Sequence, residues 1–249
     1  MRIAALYDIH GNLPALDAVL ADVAREHVDR IVIGGDVVPG PMPRETLERL
    51  RSLEPPVDFI IGNGELAVLA EAEGKDSGIP IHHRDGIRWN AAQLQSGDRT
   101  LLAEWPVTLR IPIEGLGNVL LCHATPNNPH DIFTRVTPEE SAQSLIGDLD
   151  ADVMVCGHTH MQFDRRIGRL RVVNAGSVGM PFGQTGAHWA LLGPDVELNH
   201  TLYDLEEAAT QVRLTDYPEA ESFAENILQP ASEDQMLKVF NGPKRMMPP

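Results

Sequence analysis

Five short polar segments of this chain place aspartate, histidine and asparagine side chains at the ends of apolar runs. Carboxylate oxygens, amide oxygens and imidazole nitrogens suit manganese, iron, zinc or cobalt, whereas an iron–sulfur cluster requires thiolates. Together the segments offer enough donors for two metal ions. They are Asp8-Ile9-His10, Gly35-Asp36, Gly62-Asn63, His123 and Gly157-His158-Thr159-His160.

Apolar runs alternate with amphipathic stretches through much of the chain, which predicts a parallel α/β sheet. In such sheets, ligands collect where the carboxyl ends of the strands meet loops, and each polar segment follows a predicted strand. We therefore expect the five segments to converge. The predicted strands are residues 3–7, 31–33, 57–61, 119–122 and 153–156, and the predicted helices include 12–26, 43–53 and 64–73.

Other parts of the chain interrupt this alternation. Residues 74–116 combine glycines and prolines with short helical stretches, which favours a small lid-like insertion over one end of the sheet. The capping-box pattern from Thr137 to Glu140 predicts the start of a helix, with Thr137 as its N-cap. Helices are expected over about 204–240, and the whole chain, 1–249, is expected to form one domain.

Short β-like runs at 161–167, 170–174, 187–193 and 196–203 predict an antiparallel meander on the second half of the sheet.

The chain has 249 residues and a formal net charge of −16, from 36 acidic and 20 basic residues. Binders of nucleic-acid polymers need a basic face, so this class of partner is excluded. No apolar run approaches the length of a membrane span, and Asp8 interrupts the first apolar run too early for a signal peptide. The two cysteines, Cys122 and Cys156, do not suggest a disulfide framework. We expect a cytoplasmic chain without a membrane partner.

The ordered set Asp-x-His, Gly-Asp, Gly-Asn, His and Gly-His-Thr-His resembles the calcineurin-like metallophosphoesterase superfamily, in particular its small bacterial and archaeal phosphodiesterase branch. The resemblance extends from Arg2 to about Gly183. It implies an α/β fold, a four-layer α/β/β/α sandwich with mixed parallel and antiparallel sheets. It also implies two divalent metal ions, with manganese expected first and iron, zinc, nickel or cobalt as alternatives.

Carried over by motif position, the resemblance implies a set of ligands for each ion. Asp36 would bridge both ions, and the implied reaction is hydrolysis of a phosphate ester by a metal-bridging hydroxide. Two ions about 3.5–4 Å apart lower the pKa of water and neutralise charge on the attacking and leaving oxygens. One ion would be held by Asp8, His10, Asp36 and His160 and the other by Asp36, Asn63, His123 and His158, with catalytic roles for Asp36, Asn63, His123 and His158.

One position departs from the family pattern. Where the family has Gly-Asn-His-Glu or Gly-Asn-His-Asp, this chain has Gly62-Asn63-Gly64-Glu65, so the histidine that can protonate the leaving group is missing. General-acid help is typically worth about a hundred- to ten-thousand-fold in rate. We therefore expect esters with good leaving groups, such as aryl diesters and 2′,3′-cyclic nucleotides, to react best.

Contacts to the substrate are less determined by the pattern. Asn12 resembles a family residue that faces the phosphate, and it is equally suited to cap the first helix. His130 and Arg135, in and after a proline-rich loop, are either substrate contacts or solvated loop residues. His82 and His83 either replace the missing acid or form a solvated pair.

We expect a phosphodiesterase acting on a small phosphate ester, including nucleotides. The sequence is also compatible with two other functions. One is a protein serine/threonine phosphatase, which the absence of histidine at Gly64 disfavours. The other is a non-catalytic scaffold that binds protein partners, which the complete ligand set disfavours.

Overall fold

The computed structural model describes residues 1–81 and 84–242. These residues form two five-stranded sheets flanked by helices. The first sheet has the order β10-β9-β1-β2-β3 and the second the order β4-β5-β6-β8-β7. The strands are β1 (Ile3–Leu6), β2 (Arg30–Ile33), β3 (Val57–Phe59), β4 (Thr108–Ile113), β5 (Gly117–Cys122), β6 (Val153–Cys156), β7 (Phe163–Ile167), β8 (Leu170–Asn174), β9 (Ala187–Leu192) and β10 (Val196–Thr201). The helices are α1 (Leu13–Arg25), α2 (Pro43–Arg51), α3 (Asn63–Ala72), α4 (Arg84–Gln93), α5 (Ser96–Ala103), α6 (Glu139–Ile146), α7 (Leu205–Arg213), α8 (Ala220–Leu228) and α9 (Glu233–Asn241).

Strand β1 is buried on both faces, and its side chains alternate between two cores as the two-residue period of a strand requires. Ala4 and Leu6 lie in the core that contains the apolar faces of α1 and α2. Ile3 and Ala5 point the other way, into the core between the two sheets. A strand covered on both faces reads as a continuous apolar run, which is why β1 has no polar position.

Strand β6 divides in the same manner. Val153 and Val155 lie in the core between the sheets, whereas Met154 and Cys156 pack with α6 on the outer side of the second sheet. The order of layers is therefore helix, sheet, sheet, helix. The predicted α/β/β/α sandwich with mixed sheets is confirmed. Cys122 and Cys156 are buried and not bonded to each other.

The described residues of 74–116, predicted as a lid-like insertion, belong to the layers of the sandwich in the structure. Helices α4 and α5 pack in the helical layer on the first sheet, where Ile87, Ala91 and Leu102 share the core of α1. Residues 108–113 are strand β4, which pairs antiparallel with β5 at the edge of the second sheet. The glycines and prolines in this segment therefore separate regular elements that bury apolar side chains.

The antiparallel meander predicted near the end of the chain is wrong. Its four runs form strands, but they divide between the two sheets: β7 and β8 extend the second sheet, and β9 and β10 extend the first. Strand β8 pairs parallel with β6, and β9 pairs antiparallel with β1. Short apolar runs show which faces are buried but do not identify the sheet in which each strand finds its partner.

The predicted capping box at Thr137 is also wrong. Helix α6 begins at Glu139 with Pro138 in the N-cap position, and Thr137 Oγ1 instead accepts from the Thr134 backbone N–H. Thr137 also donates to the Asn241 side chain at 2.9 Å, which ties this turn to α9. The Thr137 hydroxyl therefore bonds to Thr134 and Asn241 and does not cap helix α6.

Helices α7 and α8 pack on each other through a small apolar core that includes Val212, Tyr217 and Phe223. They lie within the region where C-terminal helices were expected, as does α9. Among the residues that the structure describes, no helix has the length and apolar character needed to span a bilayer.

Candidate metal centre

The predicted ligands gather at one edge of the sandwich, just past the carboxyl ends of their strands. Strands β1, β2 and β3 run parallel, as do β5 and β6, so their ends emerge on the same side. The loops are joined by backbone hydrogen bonds, from Asp8 N to Gly35 O at 3.1 Å and from Gly157 N to His123 O at 2.9 Å. The parallel topology thus brings together residues that lie far apart in the sequence.

The backbone at this edge is left-handed at five of the predicted ligands. A side chain at positive φ costs on the order of 1–3 kcal/mol, so the surrounding structure must hold each residue in place. The other non-glycine residue with positive φ in the described chain is His27. Backbone strain is therefore concentrated where the ligands meet. The five φ angles are 53° at Asp8, 48° at His10, 53° at Asp36, 66° at His158 and 56° at His160.

One group of donors consists of Asp8, His10 and His160, whose ligand atoms lie within 4.8 Å of one another. His160 Nε2 is 3.4 Å from Asp8 Oδ1 and 3.3 Å from His10 Nε2. The Asp36 carboxylate approaches the same group, since its Oδ2 is 3.7 Å from His10 Nε2. These four residues are the set that the family resemblance implies for one ion.

A second group consists of Asp8, Asp36 and His123, also within 4.8 Å. His123 Nε2 is 3.5 Å from Asp36 Oδ1 and 2.9 Å from Asn63 Oδ1. Asp36 thus directs one carboxylate oxygen to each group. Asp8 Oδ1 also approaches both, since it is 3.9 Å from His123 Nε2, whereas the resemblance assigns Asp8 to one ion alone.

Three of the histidines are oriented by backbone carbonyl oxygens. A carbonyl oxygen can only accept, so each Nδ1 carries a proton, and in the neutral form of each ring Nε2 is the atom free to bind a metal. Such a contact fixes the tautomer and ring orientation of histidines that bind metals. The contacts join His10 Nδ1 to Pro39 O at 3.1 Å, His123 Nδ1 to Gly34 O at 2.9 Å and His160 Nδ1 to Met180 O at 2.7 Å.

Several metal-ligating atoms converge at the centre, and this tests whether the site fits metal ions. Asp8 Oδ1 is buried and has no hydrogen-bond partner among the described residues. Nε2 of His10 lies 3.3 Å from Nε2 of His160, and Nε2 of His123 lies 2.9 Å from Asn63 Oδ1. Buried acceptors are normally satisfied, and a cation among these atoms would satisfy the Asp8 oxygen and the neutral imidazoles together. The donor set fits two divalent metal ions.

Burial and neighbouring charges shift the protonation of these groups in different directions. Burial opposes ionisation of Asp8, but the neighbouring His160, His123 and His10 together hold its pKa well below its usual range. Burial opposes protonation of His160, but the Asp8 carboxylate raises its pKa above the ordinary value. The site therefore favours a deprotonated Asp8, which is the form that binds a metal.

His158 lies at the margin of the two groups. Its ring packs edge-on against His123, with 5.1 Å between centroids, and it is not a member of either set of donors within 4.8 Å. Burial, followed by the charge of His123, lowers the pKa of His158 to about 4. Its backbone N–H donates to Asp8 Oδ2 at 2.8 Å. His158 is therefore a neutral imidazole beside the centre, and its role as a ligand remains a prediction.

Glu65 is a positioning residue of the site that is absent from the residues predicted by the motifs. Its buried carboxylate accepts from three backbone N–H groups, Asp36 N at 2.8 Å, Gly62 N at 2.8 Å and Val38 N at 3.1 Å. Burial, together with the charge of Asp36, raises its pKa to about 7. The signal in the sequence is a glutamate three residues after the N-cap Gly62, which is a capping-box spacing. Here that carboxylate also holds the loop that carries Asp36.

The structure gives a steric reason for the missing histidine at position 64. A Cβ atom on Gly64 would lie 2.3 Å from Val38 O and 2.9 Å from Asp36 Oδ1. The Gly64 N–H donates to the same Asp36 oxygen at 2.7 Å. The first turn of α3 therefore lies too close to the Asp36 loop for any side chain at this position.

Replacing Gly64 by histidine is expected to destabilise the protein by about 3 kcal/mol, because overpacking against backbone costs about that much. It is not expected to restore a general acid, since the loop bearing Asp36 must shift to admit the ring. Denaturant titration and alkyl monoester turnover measure the two effects. The matched control is Gly97→His, because a Cβ at Gly97 has nothing within 4 Å. Unchanged stability together with faster monoester turnover would contradict this account.

Asn12 was predicted either to face the phosphate or to cap helix α1, and in the structure it caps the helix. Its side-chain oxygen accepts from Ala15 N at 3.2 Å, and its amide nitrogen donates to Gly179 O at 2.9 Å. The side chain is fully buried. Both ends of the amide therefore have protein partners in this geometry, which leaves neither end directed at a phosphate.

The other predicted substrate contacts lie away from the ligand groups. His130 is exposed and lines a cavity of about 1400 Å³ between its own loop, α6 and α9, and none of the seven predicted ligands lines that cavity. Arg135 forms an ion pair with Glu233 at the start of α9, at 2.5 Å. Their roles in substrate binding remain predictions. His82 and His83 lie outside the described residues.

Comparison with known proteins agrees with the fold and the motif order. The family model described as the calcineurin-like phosphoesterase superfamily domain matches residues 1–196. Uncharacterized protein MJ0912 of Methanocaldococcus jannaschii is 27% identical over 242 residues, 87% of this chain and 94% of that protein. Phosphodiesterase YfcE of Escherichia coli K12 is 24% identical over 205 residues, 79% of this chain and 89% of that protein.

A metallophosphoesterase of known structure from Sphaerobacter thermophilus is 27% identical, with a TM-score of 0.73 over 93% of this chain and 99% of its own. These findings confirm the resemblance drawn from the motifs, and the similarity to YfcE agrees with the small phosphodiesterase branch. The chain belongs to the calcineurin-like phosphoesterase superfamily.

Proposed function

We propose that this protein is a metal-dependent phosphodiesterase that hydrolyses small diesters or nucleotides, including 2′,3′-cyclic nucleotides. The observation that carries the proposal is the pair of adjoining donor groups, with one oxygen of Asp36 directed to each. Divalent ions held there would supply an activated water and neutralise charge on the phosphate. The oxygen and imidazole donors suit manganese, iron, zinc, nickel and cobalt, and manganese is the ion we would test first.

The protein residues have distinct roles in this proposal. Asp36 joins the two metal sites, and Asn63 and His123 complete one of them. His158 packs against His123, with 5.1 Å between ring centroids, and is assigned a contact with the phosphate. Glu65 maintains the loop geometry that directs Asp36 inward. Asn63 stands at the first position of helix α3, where the N-terminal partial charge favours a bound anion.

The preference for diesters follows from the absence of a side chain at Gly64. Without a general acid at that position, the leaving oxygen must depart with little proton transfer, which favours leaving groups of low pKa. Aryl and strained cyclic diesters meet this requirement, whereas alkyl monoesters do not. The close packing around Gly64 supports the same preference, since a Cβ atom there would lie 2.3 Å from Val38 O.

A panel of phosphate esters tests the proposal. Protein loaded with manganese is expected to turn over bis-(p-nitrophenyl) phosphate at least about a hundredfold faster than an alkyl monoester, the lower end of the usual contribution of general acids. A phosphopeptide is included to test the phosphatase alternative. Equal rates on the diester and the alkyl monoester would overturn the diester preference, and phosphopeptide turnover comparable to that of the diester would favour a protein phosphatase.

A further inference from the structure

Phe182 lies face-on against the imidazole of His160, which belongs to one of the two donor groups. The ring centroids are 5.2 Å apart and the ring planes are inclined by 18°, a stacked arrangement of the kind that stabilises aromatic pairs. Phe182 is half-buried and His160 is 9% exposed, so the contact lies mostly out of solvent. The motifs that indicate the ligands do not include this phenylalanine.

The stacked ring limits how the His160 imidazole can move. The hydrogen bond from His160 Nδ1 to Met180 O, at 2.7 Å, fixes the direction of one ring nitrogen but lets the ring plane rock about that bond. A flat ring packed on one face opposes this rocking, because the imidazole would lose the contact by tilting. The two contacts together keep Nε2 directed at Asp8 Oδ1, 3.4 Å away.

Both contacts come from one short segment that is attached to the site itself. Met180 supplies the carbonyl group, and Phe182, two residues later, supplies the ring. The Met180 N–H donates to Ser177 Oγ at 2.8 Å, and the Ser177 hydroxyl donates to the Asp8 carbonyl oxygen at 2.8 Å. The Phe182 N–H donates to His160 O at 3.3 Å. The segment is therefore hydrogen-bonded to the backbone of two predicted ligands.

Helix α9 supports the Phe182 ring from outside the part of the chain that the family model matches, which ends at residue 196. The Phe240 ring of this helix lies 6.2 Å from the Phe182 ring, inclined by 56°. Just before the helix, Ala231 O accepts from the Gly183 N–H at 2.9 Å. Two aromatic rings in series thus join α9 to the candidate metal centre.

We propose that Phe182 is a positioning residue for the metal ligand His160, and that Phe240 holds Phe182 in place. The inference rests on the proposed function, because it needs His160 to bind a metal ion. Groups that orient a metal-binding histidine typically contribute about ten- to a hundredfold to metal affinity. A helix beyond the matched domain thus strengthens metal binding without supplying a ligand.

Replacing Phe182 by alanine is expected to weaken manganese binding about tenfold, the lower end of that range. The loss should fall on one of the two binding steps, because His160 belongs to one donor group. Phe182→Tyr keeps the ring and should bind manganese as tightly as the wild type, whereas Phe182→Leu keeps apolar volume without a flat ring and should resemble Phe182→Ala. Phe240→Ala should weaken the same step about threefold, within the worth of one aromatic pair. Calorimetric titration of metal-free protein with manganese measures each affinity.

Two comparisons separate positioning from a general loss of structure. Phe59 is also a half-buried phenylalanine stacked on an aromatic ring, that of Trp105 at 4.6 Å between centroids, and it belongs to neither donor group. Phe59→Ala should lower resistance to denaturant, as Phe182→Ala does, and leave manganese affinity unchanged. In a His160→Ala background, Phe182→Ala should have no further effect on the affinity, because Phe182 acts through His160.

Unchanged manganese affinity in Phe182→Ala, an equal loss in Phe59→Ala, or additive losses in Phe182→Ala and His160→Ala would each overturn the positioning role. Turnover of bis-(p-nitrophenyl) phosphate is measured on the same samples, so that the two proposals can fail separately. If Phe182→Ala weakens manganese binding but the wild type hydrolyses no ester, the proposed function fails and the positioning role stands. If the wild type is active and Phe182→Ala binds manganese as tightly, the positioning role fails and the proposed function stands.

Discussion

Replacing Asp36 by asparagine is expected to reduce kcat on bis-(p-nitrophenyl) phosphate by about a thousandfold, the equivalent of about 4 kcal/mol of lost transition-state stabilisation. The two Asp36 oxygens face different donor groups, 3.7 Å from His10 Nε2 and 3.5 Å from His123 Nε2. An amide has a single acceptor oxygen and no charge, so it cannot serve both groups. Metal analysis is expected to show fewer ions per chain after manganese loading.

The matched control for this change is Asp148→Asn, because the Asp148 side chain is 98% exposed and belongs to neither donor group. It should leave both turnover and metal content unchanged. A non-catalytic scaffold would behave differently, since Asp36→Asn would then remove metal while no measurable turnover existed to be lost. Retention of full turnover by Asp36→Asn would contradict the assignment of Asp36 to the centre.

Replacing Glu65 by alanine is expected to lower the free energy of unfolding by on the order of 4 kcal/mol. Three buried backbone N–H groups, at Asp36, Val38 and Gly62, would lose their acceptor, and each unsatisfied group costs about 1–3 kcal/mol. The loop that carries Asp36 would also relax, so manganese affinity should fall with stability. Denaturant unfolding of metal-free protein and calorimetric titration with manganese measure the two effects separately.

Two further variants define the origin of the Glu65 effect. Glu73→Ala removes an exposed carboxylate just beyond the same helix and should change stability by less than about 0.5 kcal/mol. Glu65→Gln keeps the size of the side chain but presents N–H groups to one of the backbone donors, so an intermediate loss is expected. If Glu65→Ala binds manganese as tightly as the wild type, Glu65 is a structural cap and does not position Asp36.

Much of the candidate site follows from local pattern. Each of these ligands lies within three residues of the end of a strand, and parallel strands place their carboxyl ends together: Asp8, Asp36, His123 and His158. The left-handed backbone at Asp8, His10 and other ligands was not visible in the sequence. Backbone hydrogen bonds from Asp8 N to Gly35 O and from His10 N to Asp36 O hold these loops, and they join segments that are remote in sequence.

The strand pairings could not be predicted from the local sequence pattern. Strands β8 and β9 are both short apolar runs, yet one joins β6 in parallel and the other joins β1 antiparallel. Strand β4 was not predicted, because it lies in a segment rich in turn residues and itself contains Pro112 and the charged Arg110. Its position at the edge of the sheet tolerates both residues. The periodicity of side chains reports burial on each face and carries no information on which strand lies alongside.

The donor types and their order are local properties of the sequence, and the family that they resemble implied the layered α/β/β/α fold. How Asp36 and Asp8 are shared between the two donor groups, and how Glu65 holds the loop of Asp36, depends on the packing of segments that are remote in sequence. The same packing leaves no room for a side chain at Gly64. These features depend on distances between segments remote in sequence, and only the closed packing of both sheets sets those distances.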